Sequence, residues 1–134
     1  MSTWTSWRLH RYTLPLTRPL TTGADALHRH GLILELEGDH GHIGLGEAAP
    51  LPGLHRTTLP AVSDALIAAL SSPDPAASSL PPVAQLAIEG AALMLSAAHL
   101  QREPVRLLCT DPVSAVAVNA LITGPDPVAS AQAA

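Results

Sequence analysis

Four histidines form two pairs in which one residue separates the partners, His28 with His30 and His40 with His42. On an extended strand this spacing puts both imidazoles on one face, and imidazole is a common zinc or nickel ligand. The second pair flanks Gly41 in a predicted turn, however, and no cysteine or carboxylate cluster completes four ligands. We therefore expect four solvent-exposed histidines and no metal site in this chain.

The charged residues limit the acid–base chemistry. All seven basic residues are arginine, so a mechanism that needs a lysine base cannot be completed here. The carboxylates of Glu35, Glu37 and Glu47 are predicted on strands, and they do not form the trio of acids that a divalent metal requires. Glu47 either contacts substrate or, in the favoured interpretation, anchors its strand end against an arginine or the backbone. Arg29 either pairs with a substrate carboxylate through two parallel hydrogen bonds or is a solvated loop residue.

Two segments have the composition of functional loops. The stretch GHIGLGEAAPLPGLHRTTL, residues 41–59, ends a predicted strand at Glu47 and then holds Leu51 between two prolines. Proline fixes φ, so this loop is predicted to be rigid. Residues 17–30 lose all alternation and form a second long loop, and long loops in compact domains are often functional.

Alternating apolar residues predict the strands that position these loops. The first strand spans residues 7–16, with a bulge between Leu9 and Tyr12 where the alternation slips by one residue. The second and third strands, residues 32–37 and 42–47, are joined by a turn. A small antiparallel sheet is therefore expected.

The second half of the chain has helical periodicity. A first helix is predicted after Thr57 or Thr58, with Pro60 in its first turn, and a second from Pro82 to about Pro104. Residues 115–122, AVAVNALI, read as a buried parallel strand without a partner in this chain. The apolar stripes of the two helices are Leu59, Val62, Leu66 and Leu70, and then Val83, Leu86, Gly90, Leu93, Ala97 and Leu100.

Composition excludes several classes of protein. The chain has 134 residues, 47% of them apolar, enough for one globular domain. A net charge of -4 without a basic cluster argues against nucleic acid as a partner. No apolar run is expected to reach a membrane span, and the N-terminus lacks a signal peptide's apolar region. The single cysteine, Cys109, is interpreted as a small buried residue in a reducing compartment, so a cytoplasmic protein is predicted.

Four segments in this order resemble a known family: YTLPLTRPLTT, RHGLILELEGDHGHIGLGEAAPLPG, LAIEGAALML and VAVNALI. They resemble the N-terminal part of the o-succinylbenzoate synthases, of the muconate-lactonizing subgroup of the enolase superfamily. The resemblance implies an α+β fold, the N-terminal capping domain of that superfamily, with a three-stranded antiparallel meander followed by helices. Residues 1–103 would form this domain, residues 104–112 a linker, and residues 113–134 the start of a truncated C-terminal (β/α) barrel, including its first strand.

The resemblance also implies where a ligand binds. Two loops of such a cap, corresponding to residues 19–30 and 50–57, close over the mouth of the barrel and contact a small-molecule carboxylate. The implied lid residues are Leu20, Thr21, Thr22, Arg29, Leu51, Pro52 and Gly53, with Asn119 at the barrel mouth.

The family chemistry is that of a hydro-lyase in menaquinone biosynthesis. A lysine removes a proton α to a carboxylate, Mg²⁺ or another divalent metal stabilises the enediolate, and water is lost. This chain has neither the lysine nor the acidic ligands, so we expect no catalytic residue, no bound metal and no activity without the missing barrel domain, in cis or in trans. The alternatives are the same cap from a dipeptide epimerase or a muconate cycloisomerase, or a non-catalytic binding module. The APLPG sequence favours the synthase.

Overall fold

The computed structural model describes residues 3–17, 27–72 and 79–118, together with Val128. Its three strands form one antiparallel sheet in the order β1-β2-β3, and the helices follow. The predicted α+β arrangement, a three-stranded antiparallel meander followed by helices, is thereby confirmed. The elements are β1 (Trp4–Pro15), β2 (His28–Gly38), a 3₁₀ turn (Asp39–Gly41), β3 (Ile43–Ala48), α1 (Leu59–Ser71), α2 (Pro82–Leu100) and α3 (Val105–Leu108).

The core lies between one face of the sheet and helices α1 and α2. Leu32, Leu34 and Leu36 of β2 alternate with more polar residues and are buried on this face. Their cross-strand partners on β3 are Ala48, Gly46 and Gly44 in turn. Because these partners are small, the backbone of α2 can approach the sheet directly. The burial of this leucine row fixes which face of the sheet the helices cover.

The contact between β3 and α2 leaves no room for a side chain. A Cβ atom on Gly46 would lie 1.9 Å from the carbonyl oxygen of Ala87, and one on Gly44 would lie 2.0 Å from that of Ala91. The face of α2 that enters the core is correspondingly rich in alanine. Its buried residues are Ala84, Ala87, Ala91, Ala92, Leu95 and Ala97.

This buried face differs from the predicted stripe of α2. Leu86 is 66% exposed and Leu100 is 53% exposed, although both belong to that stripe. A leucine side chain cannot fit where the helix backbone meets glycine, so the alanine face turns towards the sheet. The helix also ends at Leu100, before the predicted Pro104, because Gln101 adopts a left-handed conformation with φ of 52°.

Helix α1 begins as predicted. The Thr58 hydroxyl accepts a hydrogen bond from the Ala61 N–H at 3.4 Å, and Pro60 lies in the first turn. This capping satisfies a backbone donor that the helix itself leaves unpaired. The predicted core residues Val62, Leu66 and Leu70 are buried.

The predicted bulge in β1 was placed wrongly. Register is continuous from Ser6 to Pro15, and the irregularity lies between Trp4 and Ser6. The apolar pattern slips because Tyr12 lies on the face opposite Leu9, where it packs across the sheet's outer surface. The slip therefore marks a change of face and not an inserted residue.

Two further expectations are corrected. Cys109 is exposed, not buried, because it follows the short helix α3 at the surface. Among the described residues, one helix, Pro82–Leu100, is long and apolar enough to cross a membrane by length and composition, contrary to the expectation that no apolar run approaches a span. A third of the apolar stretch of this helix is buried in the protein, and the core helices of globular proteins can be equally long and apolar. Its alanine face packs on the sheet, while Leu86, Met94 and Leu100 are exposed.

Half of the predicted barrel strand lies outside the described residues. Residues 115–118 are described and form no strand. A strand obtains its backbone hydrogen bonds from a neighbouring strand, and residues 115–118 pair with none of the three described strands. Residues 119–122 lie outside the described part, as does Asn119 with them.

Candidate functional site

A cleft of about 400 Å³ lies where β2 begins, the loop after β3 passes, and α1 starts. We call it the basic cleft because Arg11, Arg29 and Arg56 line it and no acidic residue does so among those described. His28, His30 and His55 also line it, and Pro50, Pro52, Leu59 and Pro60 form its apolar wall. The volume is within the range of small-molecule sites, roughly 300 to 1,000 Å³.

Arg29 joins the two segments that the sequence predicts as lids. Its guanidinium donates to the carbonyl oxygen of Pro50 at 3.1 Å and to that of Ala49. The side chain is half-buried and carries its charge against neutral carbonyl groups. Arg29 therefore holds the base of the second loop on the first residues of β2.

The loop after β3 is closed by its own hydrogen bonds. The Leu51 N–H donates to Nδ1 of His55 at 2.9 Å, and the Leu51 carbonyl accepts from the His55 N–H at 2.9 Å and the Leu54 N–H at 3.2 Å. Gly53 has φ of +83°, which a residue with a side chain rarely adopts. These bonds make residues 51–55 a compact turn that the side chain of His55 helps to close.

The predicted lid residues divide into three groups. Pro52 and Gly53 line the basic cleft, as does Arg29, whereas Leu51 is half-buried beneath the turn. The exposed apolar side chain of this loop is Leu54, at 69%, which the sequence analysis did not single out. Leu20, Thr21, Thr22 and Asn119 lie outside the described residues.

Tyr12 anchors the end of β3 from the opposite edge of the sheet. Its hydroxyl donates to the Glu47 carboxylate, and the ring crosses Gly31, where a Cβ atom would lie 2.3 Å from the hydroxyl oxygen. Burial and the hydrogen bond to Glu47 raise the pKa of Tyr12 to about 12. Glu47 thus anchors its strand end as interpreted, through Tyr12. The one clue in the sequence is Tyr12 itself, which breaks the alternation of β1.

The remaining sheet carboxylates are engaged on the outer face, away from the helices. Glu35 pairs with Arg8 and lies 3.0 Å from Nε2 of His10, and Glu37 accepts from the Ser6 hydroxyl at 2.9 Å. The hydrogen bond from His10, with the charge of Arg8, lowers the pKa of Glu35.

The donors on the described strands do not fit a metal ion. Carboxylates paired with cations and a hydroxyl are not arranged as a Mg²⁺ cage. In the described part of the chain, no group of three histidine, cysteine or acidic residues could hold a metal. The paired histidines contact neighbouring side chains. The centres of the His28 and His30 rings lie 6.0 Å apart, and Nδ1 of His30 lies 3.0 Å from the Thr13 hydroxyl. The His42 ring meets the His99 ring edge-on, with 5.6 Å between their centres.

Comparisons with known proteins agree with the predicted family. Over 54 residues the chain is 45% identical to the o-succinylbenzoate synthase of Thermosynechococcus vestitus (strain NIES-2133 / IAM M-273 / BP-1). This match covers 40% of the chain but 17% of the relative, so the chain corresponds to a small part of that enzyme's length. No solved structure matches the chain. Residues 4–96, which include the whole sheet, α1 and most of α2, match the family model described as MenC, N-terminal domain, and the chain therefore belongs to that family.

Proposed function

We propose that this chain is the capping domain of an o-succinylbenzoate synthase-like hydro-lyase of menaquinone biosynthesis, acting in the cytoplasm. The observation that carries the proposal is the family match over residues 4–96, together with the joining of both lid segments at Arg29. In this role the cap binds and encloses a small carboxylate substrate. A barrel domain supplies the lysine base and the divalent metal that stabilises the enediolate.

The described residues support a cap that does no chemistry itself. The chain has no lysine, and its sheet carboxylates are paired within the outer face or with Tyr12. What the site offers is positioning: a closed turn at residues 51–55, held by Arg29 at its base. A rigid turn loses little entropy when it closes over a substrate, which favours binding.

An apolar surface on the other side of the molecule supports a partner domain. Leu86, Leu93, Leu107 and Leu108 border a groove of about 480 Å³ between α2 and α3. Leu108 is 74% exposed. Such a surface, next to the point where the chain continues towards residue 113, is suited to packing against a barrel in cis or in trans.

A domain exchange tests the proposal. Residues 1–112 of this chain would replace the matching N-terminal part of the Thermosynechococcus vestitus synthase, and formation of o-succinylbenzoate would be measured with Mg²⁺ present. We expect activity from the hybrid and none from the 134-residue chain alone or from the relative without its N-terminal part. The positive control is the relative's own N-terminal part, expressed separately and rejoined at the same boundary.

A folded hybrid that makes no product, while the rejoined control does, would contradict the proposal. Substrates of dipeptide epimerases and muconate cycloisomerases would be supplied to the same hybrid. Turnover of one of these in place of the synthase reaction would assign the cap to that enzyme instead.

A further inference from the structure

The two edges of the sheet differ in what lies beside them. Strand β3 forms one edge, and α2 packs so closely over it that a Cβ atom on Gly44 or Gly46 would meet the helix backbone. Strand β1 forms the other edge, and α1 and α2 pack mainly over β2 and β3. The β1 edge is therefore the one that another chain can reach without meeting a helix.

Alternate residues of β1 direct their backbone groups away from the sheet. The Leu16 N–H donates to the Leu27 carbonyl at 2.8 Å, and this bond continues a ladder in which the even-numbered residues of β1 exchange hydrogen bonds with β2. The N–H and C=O groups of Trp7, Leu9 and Arg11 therefore point outwards. Within the described residues, no backbone hydrogen bond reaches these groups. They form a row of donors and acceptors to which another strand can bind.

The side chains of these three residues share the helix-facing side of β1 and are incompletely covered. Trp7 and Leu9 pack against the core but remain half-exposed. Arg11 is exposed, and in the described part of the chain its side chain has neither an ion pair nor a hydrogen bond. A guanidinium without an acid can stack on the face of an aromatic ring, and tryptophan is the best acceptor.

A second copy of β1 complements this edge. When two β1 strands pair antiparallel about a two-fold axis at Leu9, Leu9 lies opposite Leu9 of the partner copy, and Trp7 lies opposite Arg11 of the partner copy. Every outward N–H and C=O of the three residues then has a partner. Each Trp7 ring also receives a guanidinium from across the axis, so the edge is complementary to itself.

Other symmetric pairings fit less well. A two-fold axis at Arg8 would set two Arg8 side chains opposite each other, and an axis at His10 would set Arg11 against Leu9 of the partner copy. Pairing at β3 would bring two α2 helices to about 4.8 Å, the spacing of adjacent strands, whereas packed helices need about 8 to 10 Å. The axis at Leu9 avoids all three conflicts.

We propose that this chain forms a two-fold dimer in which β1 pairs with β1 of a second copy and the two sheets become one continuous sheet. Backbone hydrogen bonds supply the association, as in other cases of strand addition. The pairing of Trp7 with Arg11 of the partner copy sets the register.

Sedimentation velocity of the purified 134-residue chain tests for the dimer between about 10 and 500 µM, a range suited to the weak association of a small interface. We expect a monomer–dimer equilibrium within it. Amide hydrogen exchange, followed by NMR at both ends of the range, locates the contact. The outward amides of Trp7, Leu9 and Arg11 should exchange at least about threefold more slowly at the high concentration. Those of Ile43 and Leu45, on the β3 edge, should not change.

Proline substitutions separate the two edges. Arg11→Pro removes an outward N–H that β2 does not use, and it should weaken dimerisation about tenfold or more. Ile43→Pro is the matched control, because its N–H points outwards from β3, and it should leave the dimer unchanged. Arg11→Thr keeps the amide and removes the guanidinium, so its dimer should be weakened less than that of Arg11→Pro.

Three outcomes would overturn the proposal: a monomer at every concentration, equal weakening by Arg11→Pro and Ile43→Pro, or a dimer in which the β1 amides exchange at the monomer rate. The last would show that the copies meet on another surface, such as the apolar groove between α2 and α3. Circular dichroism would check the fold of each variant. If Arg11→Pro does not fold, the exchange rates of the unmodified chain decide the question.

Discussion

Strand β2 passes through two environments. From Leu32 to Leu36 its inward side chains are buried beneath α1 and α2, with close to zero exposure. At its start, His28, Arg29 and His30 lie beyond the helices and line the basic cleft. The strand and its antiparallel pairing are continuous across both parts.

The two parts of β2 place different physical requirements on their side chains. Under the helices, close contact with a glycine-lined sheet admits only a narrow range of side-chain volumes. At the open end, the side chains are polar or charged, and Arg29 forms hydrogen bonds to the loop after β3. Substitutions in the covered part should therefore change the free energy of unfolding, and those at the open end should change loop order and ligand binding.

The largest expected effect is at the contact of β3 with α2. In Gly46→Val the new Cβ would meet the backbone of Ala87, so strand and helix must separate. We expect a loss of at least about 3 kcal/mol in the free energy of unfolding, measured by urea denaturation.

Gly41→Asn is the control for that substitution. Gly41 has φ of +75° with no atom within 4 Å of its Cβ position, and asparagine tolerates this conformation. We expect a change below about 1 kcal/mol. Equal destabilisation by the two variants would show that the close contact does not govern the covered part.

The sequence predicts the covered part better than the open end. Alternation in β2 identified Leu32, Leu34 and Leu36, and capping chemistry identified the start of α1. The rotation of α2 was missed because helical periodicity favoured its leucines, and the deciding fact, two glycines on a strand far away in sequence, enters only through tertiary packing.

At the open end, the sequence predicted the loops but not their contacts. Pro52, Gly53 and Arg29 were singled out and line the cleft, yet the bonds from Arg29 to two carbonyls depend on a pairing that no local pattern encodes. Arg11 and Arg56 were missed because lone arginines 45 positions apart carry no motif. Only the fold brings them together.

Arg29→Gln should loosen the loop after β3 without unfolding the core. Loss of the guanidinium leaves the carbonyls of Ala49 and Pro50 without these donors, which should lower the free energy of local loop opening by about 1 to 2 kcal/mol. Trypsin should then cut faster after Arg56, because the loop opens locally without the core unfolding. Arg106→Gln, which breaks an exposed pair with Glu103, is the control and should leave that cleavage rate unchanged. An unaltered cleavage rate in Arg29→Gln would mean that the internal hydrogen bonds of residues 51–55 are sufficient to keep the turn closed without Arg29.

Tyr12→Phe should have a smaller effect, about 1 kcal/mol at neutral pH, because it removes one hydrogen bond, to Glu47. The pH dependence of the free energy of unfolding distinguishes this hydrogen bond from other contributions to stability. The pKa of Tyr12 is raised from 10.0 to about 12 in the folded chain, so its contribution is complete below pH 10 and is lost as pH rises towards 12. Urea titrations over that range should show the unmodified chain losing stability relative to Tyr12→Phe. Parallel curves would contradict the role given to this bond.

The smallest expected effect is at Glu35, on the outer face. Its pKa is lowered by the hydrogen bond from His10 and by Arg8, so the carboxylate stabilises the fold above its unfolded pKa and that contribution is lost as pH falls. Acidification should therefore cost the unmodified chain slightly more stability than Glu35→Gln, and added salt should reduce the difference because the pair is screened. Glu103→Gln, another exposed pair, is the control.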